Sequence, residues 1–222
     1  EPAEKEQPPK EWNKGVIIPV EGTILPMLGS YLDRKLQQAQ ELQANLIVLK
    51  IDSPGGSLET TLEIAEKLRD LSWAYTVAYV PREALSGAAI ISLACDDIVM
   101  DPDAKLGDAG PVFAGRDALF RHAPEKIRSH LARQVRDLAA AKGRPPALAE
   151  AMVDLNLVVY RVTHQETGEI RFMSQAEIDS ADKPELWEKG PPVLESREGS
   201  FLEVNGTRAV ELQLANATVE NE

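Results

Sequence analysis

Leu46-Ile47-Val48-Leu49-Lys50-Ile51-Asp52-Ser53-Pro54-Gly55-Gly56 is the stretch whose reading decides the fold of this 222-residue chain. The apolar run 46–51 predicts a buried strand, and Pro-Gly-Gly stops it before a helix over 57–71 in which Leu58, Thr61, Leu62, Ala65 and Leu68 recur at inward-facing positions. A strand that ends this way leaves backbone N–H groups unpaired, with no side chain in front of them. Such donors suit a negative charge developing on a carbonyl oxygen. About thirty residues later, Ala84-Leu85-Ser86-Gly87-Ala88-Ala89-Ile90-Ile91 sets a hydroxyl ahead of small residues and a helical apolar run, which makes Ser86 a candidate nucleophile.

Strand and helix alternate on both sides of this pair. Strands are expected over 15–20, 46–51, 74–80 and 98–100, with helices over 29–43, 57–71 and 86–94, and a Gly- and Pro-rich loop over 101–116. That order implies parallel strands joined by crossover helices, an α/β fold. Helices over 123–142 and 147–153 close the main body. Beyond 156 the pattern changes to a hairpin around 165–168, a polar stretch, and an apolar segment 201–219 expected to pack back on the body. The domain reading is a disordered lead 1–14, a main domain 15–155, a hairpin and irregular insertion 156–200, and a C-terminal segment 201–222.

Composition excludes more than it assigns. A net charge of −12, without clustered Lys and Arg, argues against nucleic acid as a partner. Cys95 is the single cysteine, so no internal disulfide forms, and its apolar neighbours Ile91, Leu93 and Ala94 make it a buried thiol. No apolar run reaches the roughly 18 residues of a membrane span. The chain begins at Glu1 rather than Met, with a polar lead, and is expected to be a trimmed or processed piece. Asp96, Asp97, Asp101, Asp103 and Asp108 fit no calcium-loop spacing and read as solvated turns. His122, four residues before Lys126, is a rival base, but it reads first as a loop histidine in solvent. Asn205-Gly206-Thr207 and Asn216-Ala217-Thr218 match glycosylation acceptors, a pattern common by chance.

Ile51-Asp52-Ser53-Pro54-Gly55-Gly56, a helix, and then Ala84-Leu85-Ser86-Gly87-Ala88 together resemble the Clp protease and crotonase superfamily. Within it the chain is most similar to the NfeD-type, stomatin-associated membrane serine proteases, and more distantly to signal peptide peptidase A. The similarity runs over 15–153, with weaker support from Thr207-Arg208-Ala209-Val210-Glu211-Leu212. It implies a repeated β-β-α superhelix of mainly parallel strands with a small C-terminal appendage. It also implies a serine and lysine dyad, whose lysine opens a long helix about forty residues after the serine. Lys126, in Ala123-Pro124-Glu125-Lys126-Ile127, is the matching position. Gly55 or Gly56, with Gly87, matches the oxyanion hole. Where Clp proteases carry their histidine this chain has Gly110 and Pro111, so a Clp-type triad is not expected.

A serine hydroxyl attacks only when a neighbouring base takes its proton, and a lysine does so only as the neutral amine. Burial and the positive end of a helix dipole both favour that form, so Lys126 is expected to be buried in the first turn of its helix. The resemblance implies hydrolysis of apolar peptide segments of membrane proteins, stomatin-like ones among them. The domain is expected at the extracytoplasmic (periplasmic) face, anchored through segments absent from this chain, with no cofactor or metal. A homo-oligomer, dimer or larger, is also implied. Rival readings are a helix N-cap for Ser86, a solvated surface lysine for Lys126 and an ordinary turn for Gly55 and Gly56. At the level of function the rivals are a crotonase-like acyl-CoA enzyme using the same backbone donors, and a non-catalytic scaffold for a membrane partner.

Overall fold

The computed structural model describes residues 11–114 and 120–220, and the side chain of His122 lies outside what it describes. In chain order the elements of the first part are β1 (Gly15–Glu21), α1 (Pro26–Glu41), β2 (Leu46–Asp52), α2 (Leu58–Asp70), β3 (Tyr75–Val80), β4 (Glu83–Leu85) and α3 (Gly87–Leu93). There follow β5 (Asp97–Met100), β6 (Lys105–Gly107), β7 (Val112–Ala114), β8 (Phe120–His122), α4 (Glu125–Ala141) and α5 (Pro146–Ala151). The last third holds β9 (Val159–His164), β10 (Ile170–Ser174), α6 (Gln175–Ser180), β11 (Trp187–Pro192), β12 (Glu203–Asn205), α7 (Gly206–Glu211) and β13 (Ala217–Thr218).

The main sheet has the order β1-β2-β3-β5-β13, and each neighbouring pair is parallel. Its register follows from the apolar period of two. Ile18 lies opposite Leu49, Leu49 opposite Ala78 and Ala78 opposite Ile98, so one fully buried row crosses four strands. A slip of one residue would turn the whole row to the other face. Val20 beside Ile51 and Val80 beside Met100 form the next row on the same face. Pro19 stands on the edge strand β1, where a missing N–H leaves no ladder bond unmade.

Three smaller sheets are present among the described residues, one of them the antiparallel pair β7-β8. β12-β6-β4 sits beside the main sheet, and β10-β9-β11 is an antiparallel sheet of its own. The expected hairpin is present as β9 and β10, while β11 was not legible because Gly190, Pro191 and Pro192 carry no strand pattern. The segment expected as loop over 101–116 contains β6 and β7, each three residues, too short to show a period. α1 begins at Pro26, three residues before the expected start, with proline in the first turn where its missing N–H is harmless. The C-terminal segment does pack back, since β13 adds a fifth parallel strand beside β5.

Arg144, 5% exposed, fastens the site-bearing core to that returning segment. Its guanidinium donates to the carbonyl oxygens of Leu93 (3.3 Å), Cys95 (2.8 Å) and Asp96 (3.1 Å) just past α3, and to that of Leu214 (3.0 Å). Burial lowers its pKa from the ordinary arginine value, yet the cation still answers carbonyl oxygens that end α3. The neighbouring Cys95 thiol is pushed up to about 12 by burial.

Arg144→Leu strands four carbonyl acceptors, three of them on buried residues, and its urea unfolding free energy should fall by about 3–5 kcal/mol. The Cys95 pKa is raised in the folded state, so its contribution is complete below the unfolded thiol value near 9 and is lost as pH rises toward about 12. Stability measured by urea titration should therefore decline above pH 9. Cys95→Ala should decline less steeply, with Tyr75, also raised to about 12 chiefly by burial, supplying part of the remaining slope.

Candidate active site

Ser53 joins the two motifs. Fully buried at the end of β2, it donates its N–H to Glu83 O (2.9 Å) and accepts at its own carbonyl from Leu85 N (3.0 Å), a parallel bridge to Ala84. Its side chain works in the other direction, donating from Oγ to Gly22 O at 2.6 Å and accepting from Gly55 N at 3.1 Å. The turn after β2 is thus held between residues 22–24 on one side and β4 on the other. Arg82 donates to Asp52 across the same end of the sheet, which raises the Arg82 pKa above its ordinary value.

The two glycines of the turn answer different needs. Gly55 has φ +95°, and a Cβ there would lie 2.5 Å from Ser86 Cβ and 2.9 Å from Gly87 N, so only glycine lets the turn touch the serine corner. Its amide is already taken by Ser53 Oγ. Gly56 pairs with Ile24: Gly55 O accepts from Ile24 N (2.9 Å) and Ser57 N donates to Ile24 O (2.8 Å). The alternation of an extended segment then directs the Gly56 N–H to the opposite edge, along which residues 83–86 run. It has no hydrogen-bond partner among the described residues.

Ser86 stands at the corner where β4 becomes α3. Its backbone is at φ 55° and ψ −125°, a conformation a non-glycine residue holds only when its surroundings enforce it, at about 1–3 kcal/mol. The enforcement is visible: Ser86 N donates to Gly107 O at 3.0 Å, Leu85 is tied to Ser53, and Ser86 O accepts from Ala89 N at 3.1 Å. Although it occupies the N-cap position of α3, its side chain makes no capping bond. The helix-cap reading therefore does not account for it. The next amide, Gly87 N, is also without a partner among the described residues, and its α-carbon is pressed against Thr61 of α2.

The pairs Gly55-Gly56 and Ser86-Gly87, about thirty residues apart in sequence, are brought into one corner. Lys126 is not joined to it by any hydrogen bond among the described residues. It opens α4 after Pro124, as expected, but is exposed. The expectation of burial fails in the single chain: the fully buried residues of α4 begin at Leu131, and Glu125, Lys126 and Ile127 are exposed. Among the described residues no group of three or more His, Cys, Asp and Glu could hold a metal ion. Asp96 instead accepts from Thr76 and pairs with Lys142 at 2.6 Å. A cavity of about 800 Å³ lies elsewhere, between the α4–α5 junction, β10 and α6, and none of the candidate residues lines it.

Strain at residue 86 gives a direct check. Ser86→Gly relieves the positive φ, whereas Ser86→Ala keeps it, so in thermal denaturation the glycine variant should melt no lower than the alanine variant. Gly87→Ala, whose Cβ would fall 2.2 Å from Thr61 Oγ1, should melt well below both.

Over residues 14–182 the chain matches the NfeD1b, N-terminal domain family. It is 30% identical over 205 residues to the membrane protein NfeD1b of Bacillus subtilis, covering 92% of this chain and 38% of that one. It is 23% identical over 144 residues to the membrane-bound protease PH1510 of Pyrococcus horikoshii, covering 64% and 33%. The chain thus spans less than two fifths of the length of these relatives. Two solved structures of the 1510-N membrane-bound stomatin-specific protease superpose with TM-score 0.69 at 17% identity over 95% of this chain, and the chain covers 77% and 82% of them. One is a lysine-to-alanine variant in complex with a substrate peptide, the other a serine-to-alanine variant. The Clp protease-like α/β fold expected from the motifs is the fold of the chain. With three quarters of its residues inside the match, the chain belongs to the family of NfeD1b N-terminal domains.

Proposed function

We propose that this domain is a serine endopeptidase in which Ser86 is the nucleophile, Lys126 the general base, and the Gly56 and Gly87 amides the oxyanion donors. Gly55 serves as the spacer that lets the two loops meet. The observation that carries the reading is the strained, uncapped Ser86 held against the Pro-Gly-Gly turn, with two partnerless amides beside it. The related protease studied as a serine variant and as a lysine variant with a substrate peptide supports the same pair of residue types.

In this mechanism Ser86 Oγ bonds to the carbonyl carbon of the scissile peptide while its proton passes to Lys126 Nζ. The carbonyl oxygen becomes an oxyanion between the two amides. Collapse breaks the C–N bond, and the lysine ammonium returns the proton to the leaving amine. Water then attacks the acyl-enzyme, giving its proton to Lys126, and as the ester bond breaks the lysine ammonium passes that proton to Ser86 Oγ, restoring the serine and the neutral amine. Because Lys126 is exposed in the single chain, the cover it needs comes from bound substrate or a second copy, which agrees with the homo-oligomer the resemblance implies.

The substrate proposed is an apolar peptide segment of a membrane protein, stomatin-like by analogy with the related protease, which is described as stomatin-specific. Leu25 and Met27, 49% and 77% exposed, follow directly on Ile24 at the lip of the turn and offer an apolar surface there. No helix of the described residues is long and apolar enough to cross a membrane. Anchoring at the extracytoplasmic face through other segments stays part of the proposal, supported by a relative described as a membrane protein.

A fluorophosphonate should label the chain at Ser86, located by peptide mass mapping, and Ser86→Ala should abolish labelling and peptide cleavage. Labelling that survives in Ser86→Ala rejects the nucleophile. Lys126→Ala should slow labelling by about 10²–10⁴-fold, and Lys126→Arg should not restore it, because a guanidinium stays protonated.

A further inference from the structure

Thr61 is fully buried on α2, and its Oγ1 has no hydrogen-bond partner. Arg128 Nε is the other buried side-chain atom in that condition among the described residues. An unanswered buried hydroxyl is destabilising, and valine would fill nearly the same volume without it. A helical threonine ordinarily turns its hydroxyl back to the carbonyl four residues earlier. Here Ser57 O accepts the Thr61 N–H at 2.9 Å, and the hydroxyl leaves its own helix.

It points at Gly87. A Cβ built on residue 87 would lie 2.2 Å from Thr61 Oγ1, against 3.1 Å from Cγ2 and 3.2 Å from Cβ, so the oxygen is the atom nearest that side of the glycine. The α-carbon of Gly87 packs directly on it, in the manner of a Cα–H···O contact. A methyl group in the oxygen's place is somewhat wider and would press the Gly87 α-carbon away by a few tenths of an ångström. α2 follows at once on the turn that carries Gly56, with Ser57 capping it by accepting from Thr60 N. The side chain therefore spans from the helix behind one oxyanion donor to the residue that supplies the other.

We infer that Thr61 is a positioning residue of the oxyanion hole: its hydroxyl oxygen, seated against the Gly87 α-carbon, sets the Gly87 amide relative to the Gly56 amide. This rests on the serine-peptidase reading above and deepens it. Donors act on an oxyanion within a window of about 2.7–3.1 Å, so a displacement of a few tenths of an ångström is enough to weaken them. The unanswered O–H is the structural penalty for keeping an oxygen at that place. It also explains why residue 87 is glycine.

The test uses the full chain with a fluorophosphonate, whose phosphoryl oxygen takes the oxyanion position. The readouts are the second-order labelling rate at Ser86 and the melting temperature. Thr61→Val, which loses the buried hydroxyl, should melt at or above the parent and label at least about 10-fold more slowly. Thr61→Ser keeps the oxygen but drops a buried methyl, so it should melt below the parent and label within about 3-fold of it. Rate and stability then rank in opposite orders, which a merely structural threonine does not produce. If the parent labels and Thr61→Val labels at the parental rate, or if the rates simply follow the melting temperatures, the positioning role is overturned while the peptidase reading stands. If the parent does not label at Ser86, the peptidase reading fails and takes the positioning role with it.

Discussion

The molecule is organised around one close approach: the turn Ser53–Gly56 lying against the corner Leu85–Gly87. Ser53 makes it possible by answering four backbone groups at once. Its N–H and C=O pair with the strand that leads to Ser86, while its hydroxyl ties Gly22 O and Gly55 N. Ser53 itself is fully buried, and leaving one of its polar groups unanswered would cost more than a typical hydrogen bond returns. Since β2 can present Ser53 there only in its observed register, the sheet and the corner constrain each other.

That constraint explains how a strained serine persists. The backbone of Ser86 is held from three directions, by Gly107 O, by the β4 bridge to Ser53, and by Gly55 without a Cβ in between. Strain of this kind is stable only where the surroundings over-determine it. An unanswered hydroxyl on Thr61 and two unanswered amides lie in the same few ångströms. Arg144, by contrast, answers four carbonyl oxygens. Stability is set aside locally at the corner that carries the candidate chemistry.

The appendage contributes through the core rather than through the corner. β12 pairs with β6, whose Gly107 receives the Ser86 N–H, and Leu202 O lies where a Cβ on Gly107 would go, 2.2 Å away. Residues near the C-terminus thereby back the nucleophile from behind, although they are more than a hundred positions away. The antiparallel sheet β10-β9-β11 is linked to the helices by Arg136, which pairs with Glu150 of α5 and Glu177 of α6. Its own small apolar cluster of Val162, Met173, Ile178 and Trp187 is separate from the main core.

Much of this was legible in the residues alone. Alternating apolar runs specified the parallel strands, since a period of two with one buried face admits a single register, and Pro-Gly-Gly and Ser-Gly marked where loops meet. Short strands such as β4, β6 and β11 were not legible, because three residues carry no period and Pro191-Pro192 mimics a loop. Thr61 was visible as an inward helical position; the polar atom at an apolar site was the available signal, and only its neighbour Gly87 gives it meaning. Local sequence determined the elements, the glycine turn and the serine at a helix entrance, because these depend on near neighbours. Tertiary structure alone decided which amides are left without partners, that Ser86 is strained rather than capping, and that Lys126 is exposed, because contacts between distant segments allot hydrogen bonds and solvent.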